Sequence, residues 1–407
     1  DESSKLGGFS KFATITELAD TAETAPAEPL AAAIPPLAAP PTATQLRLLT
    51  ELDHGESWLL QPRQLDETGL RWSAGIKLGV KPDSDFWLHL AGLPLIGVTH
   101  ARRFSDLQDA CNTIGSGAVA SLHSWDAAEI IPWLGSTRAA SLLTNQPTVP
   151  GQVERVPSGA WRASGCGIAQ LAGGPNHLVA LGNWQLREGT PSSTLHLRGL
   201  TPEVTRLIEL AQPHLSYAEF DLLRRAALSD ELAWRTELGV ARDTSGLGIV
   251  TNILRYWRVP THVRFAENTT APAALRVLAA AMLLRAPISV SSGRKLGSEI
   301  TALLASQNIA VVAENDETWL QNITLHGPRV ADSEVERIRL VGGDAMRLSE
   351  WLAARRHVDI WAQPVTMAGP VELLTFLREQ AVSINHLRHG THADLPDLTE
   401  WLRQLAR

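Results

Sequence analysis

APAALRVLAAAMLLRAPISVSSGRKLGSEITALLASQNIAVVA (271–313) decides how the chain folds. Residues 273–285 read as a helix with an apolar run from Val277 to Leu284, flanked by Arg276 and Arg285. PISVS (287–291) reads as a strand, 298–307 as a helix and IAVVA (309–313) as the next strand. The beat continues with a helical piece around Trp319, strand RIRLV (337–341) and helix 344–355. Strand VDIWA (358–362), helix 371–379 and strand AVSIN (381–385) complete it. Short, nearly continuous apolar strands separated by helices are covered on both faces. That predicts a parallel, doubly wound α/β sheet.

Upstream, residues 186–270 read as mainly helical. TPEVTRLIELA (201–211) opens with Thr201 as cap, Pro202 at the first helical position and Glu203 in the first turn. SYAEFDLLRRAALSDELAW (216–234) reads as one or two further helices. From 45 to 185 strands and helices alternate: strands at 93–98, 118–124 and 139–145, helices at 104–114 and 126–134. ETAPAEPLAAAIPPLAAPPTAT (23–44) is Ala/Pro-rich, hence an extended, semi-rigid arm, because proline denies helix and lacks a donor.

A length of 407 residues predicts two or three domains. The net charge of −7 argues against nucleic acid and anionic membrane as partners. The Val277–Leu284 run is too short to span a bilayer. Two cysteines, Cys111 and Cys166, make no disulfide framework and fit a reducing cytoplasm. The chain starts at Asp1 without a signal pattern, which suggests a piece of something longer.

Four places could carry chemistry. RVPSGAWRASGCGIAQLAGGPNHL (155–178) is glycine-rich and contains no acid. The third glycine of a dinucleotide fingerprint is missing after Gly165-Cys166-Gly167, and no Walker pattern is present. What remains is a loop with free backbone N–H groups, suited to a carboxylate, or a plain surface loop. HLRHGTH (386–392) spaces three histidines three apart, but Gly390 and Pro396 favour a loop over a metal-binding helix face. Ser121, His123 and Asp126 lie in line in SLHSWD. Triads assemble in space, so Asp126 reads as a helix cap. Cys111 reads as a small core residue on an amphipathic helix, and Cys166 shows no histidine partner.

An ordered series of segments adds a family. GESWLLQPR (55–63), GIKLGV (75–80), LPLIGV (93–98), SLHSWD (121–126), Asn145, LAGGPNHL (171–178), NILRYW (252–257) and LREQAVSIN (377–385) run through most of the chain from about 45 to 390. In order and spacing the chain resembles the C-terminal part of the aldehyde dehydrogenase module of bifunctional proline-catabolic enzymes, the proline utilization A type. These join proline dehydrogenase to L-glutamate-γ-semialdehyde dehydrogenase.

The resemblance implies an α/β fold in four parts. Residues 1–44 would be a lead-in and linker, and 45–185 an aldehyde dehydrogenase-like catalytic-domain half. Residues 186–270 would be a helical connector, and 271–407 a worn, Rossmann-like domain with no G-x-G-x-x-G after its strands. It implies NAD as cofactor, FAD only where a proline dehydrogenase domain precedes, upstream dehydrogenase modules as partners, and a homo-oligomer. Ser164, Gly165, Gly167, Ala172 and Gly173 would hold the carboxylate and amino group of glutamate semialdehyde through backbone N–H groups.

The departures are equally specific. The family's Pro-Phe-Gly-Gly-Trp is Pro157-Ser158-Gly159-Ala160-Trp161, and its loop lysine is Leu171. The glutamate that holds the nicotinamide ribose is Leu90, which cannot accept a hydrogen bond. Neither cysteine occupies the nucleophile's place, so no catalytic residue is assigned. A catalytically dead structural or oligomerisation module is the alternative.

Overall fold

The computed structural model describes residues 34–101, 103–114, 117–148, 156–165, 167–168, 170–182, 184–185, 196–243, 245–327, 329–330, 333–352, 358–393 and 395. They divide into two compact units. The first holds the described residues up to Ser164, with 245–252 and those from Ala381 onward. The second holds those from Gly165 to Asp243 and from Ile253 to Gln380.

The first unit opens with helix α1 (Ala43–Thr50), whose Thr42 and Gln45 form a reciprocal capping box. A three-stranded sheet follows, of β1 (Ser57–Leu60), β2 (Gly75–Leu78) and β3 (Leu95–Val98), in that order. β1 pairs antiparallel and β3 parallel with β2. Lys77 of β2 is buried, which requires compensation. Its ammonium donates to the Glu51 carbonyl at 2.8 Å and pairs with Glu56 at 3.1 Å. Helices α2 (Phe104–Ile114) and α3 (Ala127–Ser136) flank β4 (Val119–Leu122), and β5 (Ser141–Thr144) follows. β4 and β5 run parallel, and residues 381–384 of the strand Leu377–Asn385 continue the ladder beside β5.

The second unit contains a five-stranded, wholly parallel sheet. Its strands are β6 (Thr261–Phe265), β7 (Ile288–Ser292), β8 (Val311–Ala313), β9 (Arg337–Val341) and β10 (Asp359–Trp361). Their order is β8-β7-β6-β9-β10, with every pairing parallel. This is the doubly wound arrangement expected from 271–313, with the direction of winding reversing between β6 and β9. Helix α4 (Ala271–Leu284) is buried on every side from Ala274 to Leu284. Each fully buried aliphatic side chain there contributes about 1.5–3 kcal/mol. Arg285 ends the helix in the left-handed conformation, φ 47°. Helices α5 (Ser298–Ser306), α6 (Asp316–His326) and α7 (Ala345–Trp351) make the other crossovers. Among the described residues no helix is long and apolar enough to cross a membrane.

Two readings change. The stretch 186–270 holds helices Pro202–Ala211 and Tyr217–Ala233, capped as expected at Thr201 and Ser216. It also carries strands Val250–Arg258 and Thr261–Phe265, the latter central to the parallel sheet. Helix 371–379 is not formed. A short turn of helix at Gly369–Glu372 and a 3-10 turn at Leu373–Thr375 give way to one nine-residue strand, Leu377–Asn385. The expected helix included Arg378 and Glu379, and Gln380 lay between it and the expected strand 381–385. Each is instead buried and hydrogen-bonded within a strand.

Candidate functional site

The glycine-rich region begins in the first unit. Trp161 is buried, and its N–H donates to the Gly117 carbonyl at 3.1 Å. Gly117 sits at φ +82°, and a Cβ there would lie 2.8 Å from the Trp161 carbonyl oxygen, so only glycine fits. Arg162 donates to the last-turn carbonyls of α2, Asn112 and Thr113. Ser164 closes a 3-10 turn and donates its hydroxyl to the Trp161 carbonyl at 2.8 Å.

The other predicted loop residues lie in the second unit. Gly167 at φ +71° is exposed, and Gly173 at φ +78° is half-buried. The amides of Gly165, Gly167 and Gly173 make no hydrogen bond among the described residues. Cys166 lies outside the described residues. The back of the loop is fixed. Glu379, buried in its strand, accepts the Leu171 N–H at 2.7 Å on one carboxylate oxygen. On the other it accepts the Asn176 side-chain amide, also at 2.7 Å. The second amide hydrogen of Asn176 goes to the Tyr256 hydroxyl at 2.8 Å. Burial raises the Glu379 carboxyl above its ordinary range, while its bonds to Asn176 and Leu171 oppose the rise. Burial and the nearby Glu379 push the Tyr256 phenol up as well. The result is a loop whose Gly165, Gly167 and Gly173 amides lack a partner among the described residues, backed by a buried polar cluster. Sequence reading did not identify Glu379, Asn176 and Tyr256 as a clamp. The available signal was a Glu and a Gln interrupting the apolar run LREQAVSI.

Leu171, where the resemblance expects lysine, is itself buried at 3% exposure. Leu90 is buried at 4%, packed in one cluster with Leu49, Phe86, Trp87 and Leu93. Its position is a core position, with no acceptor for a ribose. The reversal point between β6 and β9 is no better suited to a dinucleotide. Asn268 accepts the Gly343 N–H at 2.9 Å, and a Cβ on Gly342 would fall 2.2 Å from the Asn268 oxygen. Asp344 caps α7, accepting from Met346 N–H at 2.9 Å and Arg347 N–H at 3.2 Å. A carboxylate thus stands where a pyrophosphate would need donors. Neither place fits NAD.

The remaining candidates resolve locally. His389 at φ 50° and Gly390 at φ +81° turn a hairpin between Leu387–Arg388 and Thr391–His392, so the three histidines do not share a helix face. His386 and His392 stack 5.4 Å apart, and His386 pairs with the Thr251 hydroxyl at 2.8 Å. No group of three or more metal-ligating side chains comes together among the described residues. Asp126 accepts the Ala128 N–H at 2.8 Å as the cap of α3, and Ser121 lies 3.4 Å from His123. Asn145, in the left-handed region at φ 55°, exchanges both side-chain bonds with the Ser124 backbone.

Cys111 is half-buried on α2, and burial pushes its thiol up to about 11. That is a resting thiol, not an activated nucleophile. At pH 8 its alkylation by iodoacetamide, followed by peptide mass, should run about a hundredfold slower than that of an exposed cysteine. A rate equal to that of glutathione would contradict the assignment.

No protein-family model matches this chain. No curated protein sequence matches it either. Among solved structures it is similar to Proline Utilization A (PutA) from Corynebacterium freiburgense. The two are 28% identical with TM-score 0.66, over 88% of this chain and 32% of that one. It also overlaps an NAD-dependent benzaldehyde dehydrogenase from Corynebacterium glutamicum. That match covers 40% of each chain at 12% identity, with a TM-score of 0.28 that carries no weight for the fold. The chain therefore spans about a third of the length of the solved PutA and shares its α/β fold over most of its own.

Proposed function

We propose that this chain is the distal part of a proline-utilization-A-like enzyme of proline degradation. There it supplies the loop that anchors glutamate semialdehyde during its NAD-dependent oxidation to glutamate. The observation that carries this reading is the clamped loop. The Gly165, Gly167 and Gly173 amides have no other partner among the described residues. The Glu379–Asn176–Tyr256 cluster fixes the segment behind them. Backbone amides held in this way suit a carboxylate without carrying charge of their own. The similarity in sequence and fold to PutA supports the same reading. In it, the chain itself neither attacks the aldehyde nor grips NAD.

A second reading has its own support. Leu90 and Leu171 are core residues at positions where the resemblance expects functional side chains. On that reading the chain is a non-catalytic scaffold.

Nitrogen-15 correlation spectra of the chain, titrated separately with glutamate and with NAD, separate the two. Millimolar glutamate should shift the Gly165, Gly167 and Gly173 amides, whereas NAD at the same concentration should shift none. Silence with both ligands would favour the scaffold. Micromolar NAD binding would overturn both statements about the cofactor.

A further inference from the structure

From Gly165 to Gly174 only two side chains carry a hydrogen-bonding group, Cys166 and Gln170. The rest are glycine, alanine, isoleucine and leucine, so this stretch offers a ligand backbone and little else. Gln170 is nevertheless buried, at 7% exposure. Its side-chain nitrogen is shut off from solvent and has no hydrogen-bond partner. Its side-chain oxygen has none either among the described residues. Exchanging the two ends of the amide changes nothing, since neither is met. Buried carboxamides are normally satisfied, and one left unmet costs about as much as a lost hydrogen bond.

The backbone that carries this side chain is fixed. Leu171, the next residue, is buried, and its N–H is held by Glu379 at 2.7 Å. The Leu171 carbonyl accepts the Gly174 N–H at 3.0 Å, which closes a turn around Gly173. Gln170 thus leaves the chain beside a pinned residue, midway in sequence between Gly167 and Gly173. Those two amides also lack partners among the described residues. A carboxamide presents a donor and an acceptor side by side, and an α-amino acid presents an acceptor and a donor. We propose that Gln170 is a binding residue of the loop and makes it selective for an α-amino acid. Its N–H donates to the carboxylate that the glycine amides hold, and its carbonyl accepts from the neighbouring ammonium. The ligand gains these bonds without displacing any, because the free chain makes neither. The assignment rests on the proposed anchoring of glutamate semialdehyde and narrows it: a carboxylate without an α-ammonium fits less well.

Glutamate and glutarate, which differ by the α-ammonium, test it when titrated into the nitrogen-15-labelled chain. Both should shift the Gly165, Gly167 and Gly173 amides and the Gln170 side-chain amide, glutamate at about tenfold lower concentration. Gln170→Met keeps the length of the side chain and removes both polar ends. It should melt no lower than the wild type, because no bond of the free chain is lost. It should bind glutamate about tenfold more weakly and no longer distinguish it from glutarate. Gln170→Glu sets a carboxylate against the ligand's own and should weaken glutamate further. Equal glutamate affinity in the wild type and Gln170→Met would overturn the role of Gln170 and leave the anchoring loop standing. A lower melting temperature for Gln170→Met would make the residue structural and would also overturn it. Glycine amides that ignore glutamate in the wild type would remove the anchoring reading itself, and this assignment with it.

Discussion

Asp230→Ala costs the second unit about 3–5 kcal/mol of stability, the range for breaking a buried ion pair by removing one partner. Arg276 is fully buried in α4, and both guanidinium ends meet the Asp230 carboxylate, at 2.6 and 2.7 Å. Its Nε donates to the Thr366 carbonyl at 2.8 Å. Burial lifts the Asp230 carboxyl to about 6; the charge and hydrogen bonds of Arg276 oppose the rise, and the like charge of Glu372 adds a smaller push upward. Two bonds this short hold the pair ionised at neutral pH. Truncating Asp230 leaves the buried Arg276 guanidinium without the carboxylate that pairs it, and chemical denaturation reads the loss. The double variant Asp230→Leu, Arg276→Met removes both charges at similar volume and should recover most of it, as replacement of a buried pair by apolar packing usually does. If the single variant lost less than about 1 kcal/mol, the value of an ordinary exposed pair, the pair would be behaving as a solvated one.

That pair shows where sequence reading stops. The run 271–313 gave away helix, strand, helix, strand, and hence the parallel sheet, because apolar continuity and length are local properties. Caps at Thr201 and Asp126 were legible for the same reason: a cap acts within one turn. The burial of Arg264, Arg276, Arg337 and Arg339 was not, since each depends on a partner far along the chain. Arg337 donates through one nitrogen to the Leu374, Thr375 and Leu377 carbonyls, which accommodates a charged residue inside a fully buried strand. The strand Leu377–Asn385 begins four residues before the expected 381–385, because Arg378, Glu379 and Gln380 break the local apolar continuity by which a strand is read. Their partners are Asp359, Leu171 and Arg255, none of them local. The glycine-rich loop was visible as composition, but its clamp required Glu379 and Leu171 to meet across 208 residues. The fold was written in nearest-neighbour terms, and the candidate site in long-range ones.

Acidification from pH 7 to 4 removes roughly 3 kcal/mol from the second unit through His262 alone. His262 is enclosed in β6. The Trp319 indole N–H from α6 donates to its Nε2 at 3.0 Å. An indole can only donate, so Nε2 is the bare nitrogen and Nδ1 carries the proton, facing the Ser289 hydroxyl of β7 at 2.8 Å. The Ser291 hydroxyl sits 3.0 Å from Nε2 and accepts from Arg264 at 3.3 Å. Arg264 also pairs with Asp316 at 2.6 Å, which neutralises it without relieving the imidazole. A proton on Nε2 would set N–H against N–H in a dry site beside a guanidinium. Burial first, and Arg264 second, therefore depress His262 from 6.5 to about 4. A depressed histidine is neutral in both states above pH 6.5. Between 6.5 and about 4 the unfolded chain takes up a proton that the folded chain refuses, so stability falls as pH falls. A separation of about 2.5 units, at 1.36 kcal/mol each, gives roughly 3 kcal/mol. Asp230, shifted upward, works in the opposite sense over part of the same range, so only a difference between variants isolates the histidine. His262→Gln keeps an acceptor for Trp319 and a donor for Ser289 but does not titrate. Urea melts of the two proteins across pH 7 to 4 should diverge by that amount, the wild type losing more. Parallel profiles would mean that His262 titrates alike in the folded and unfolded chains, and that the Trp319 bond does not hold Nε2 bare.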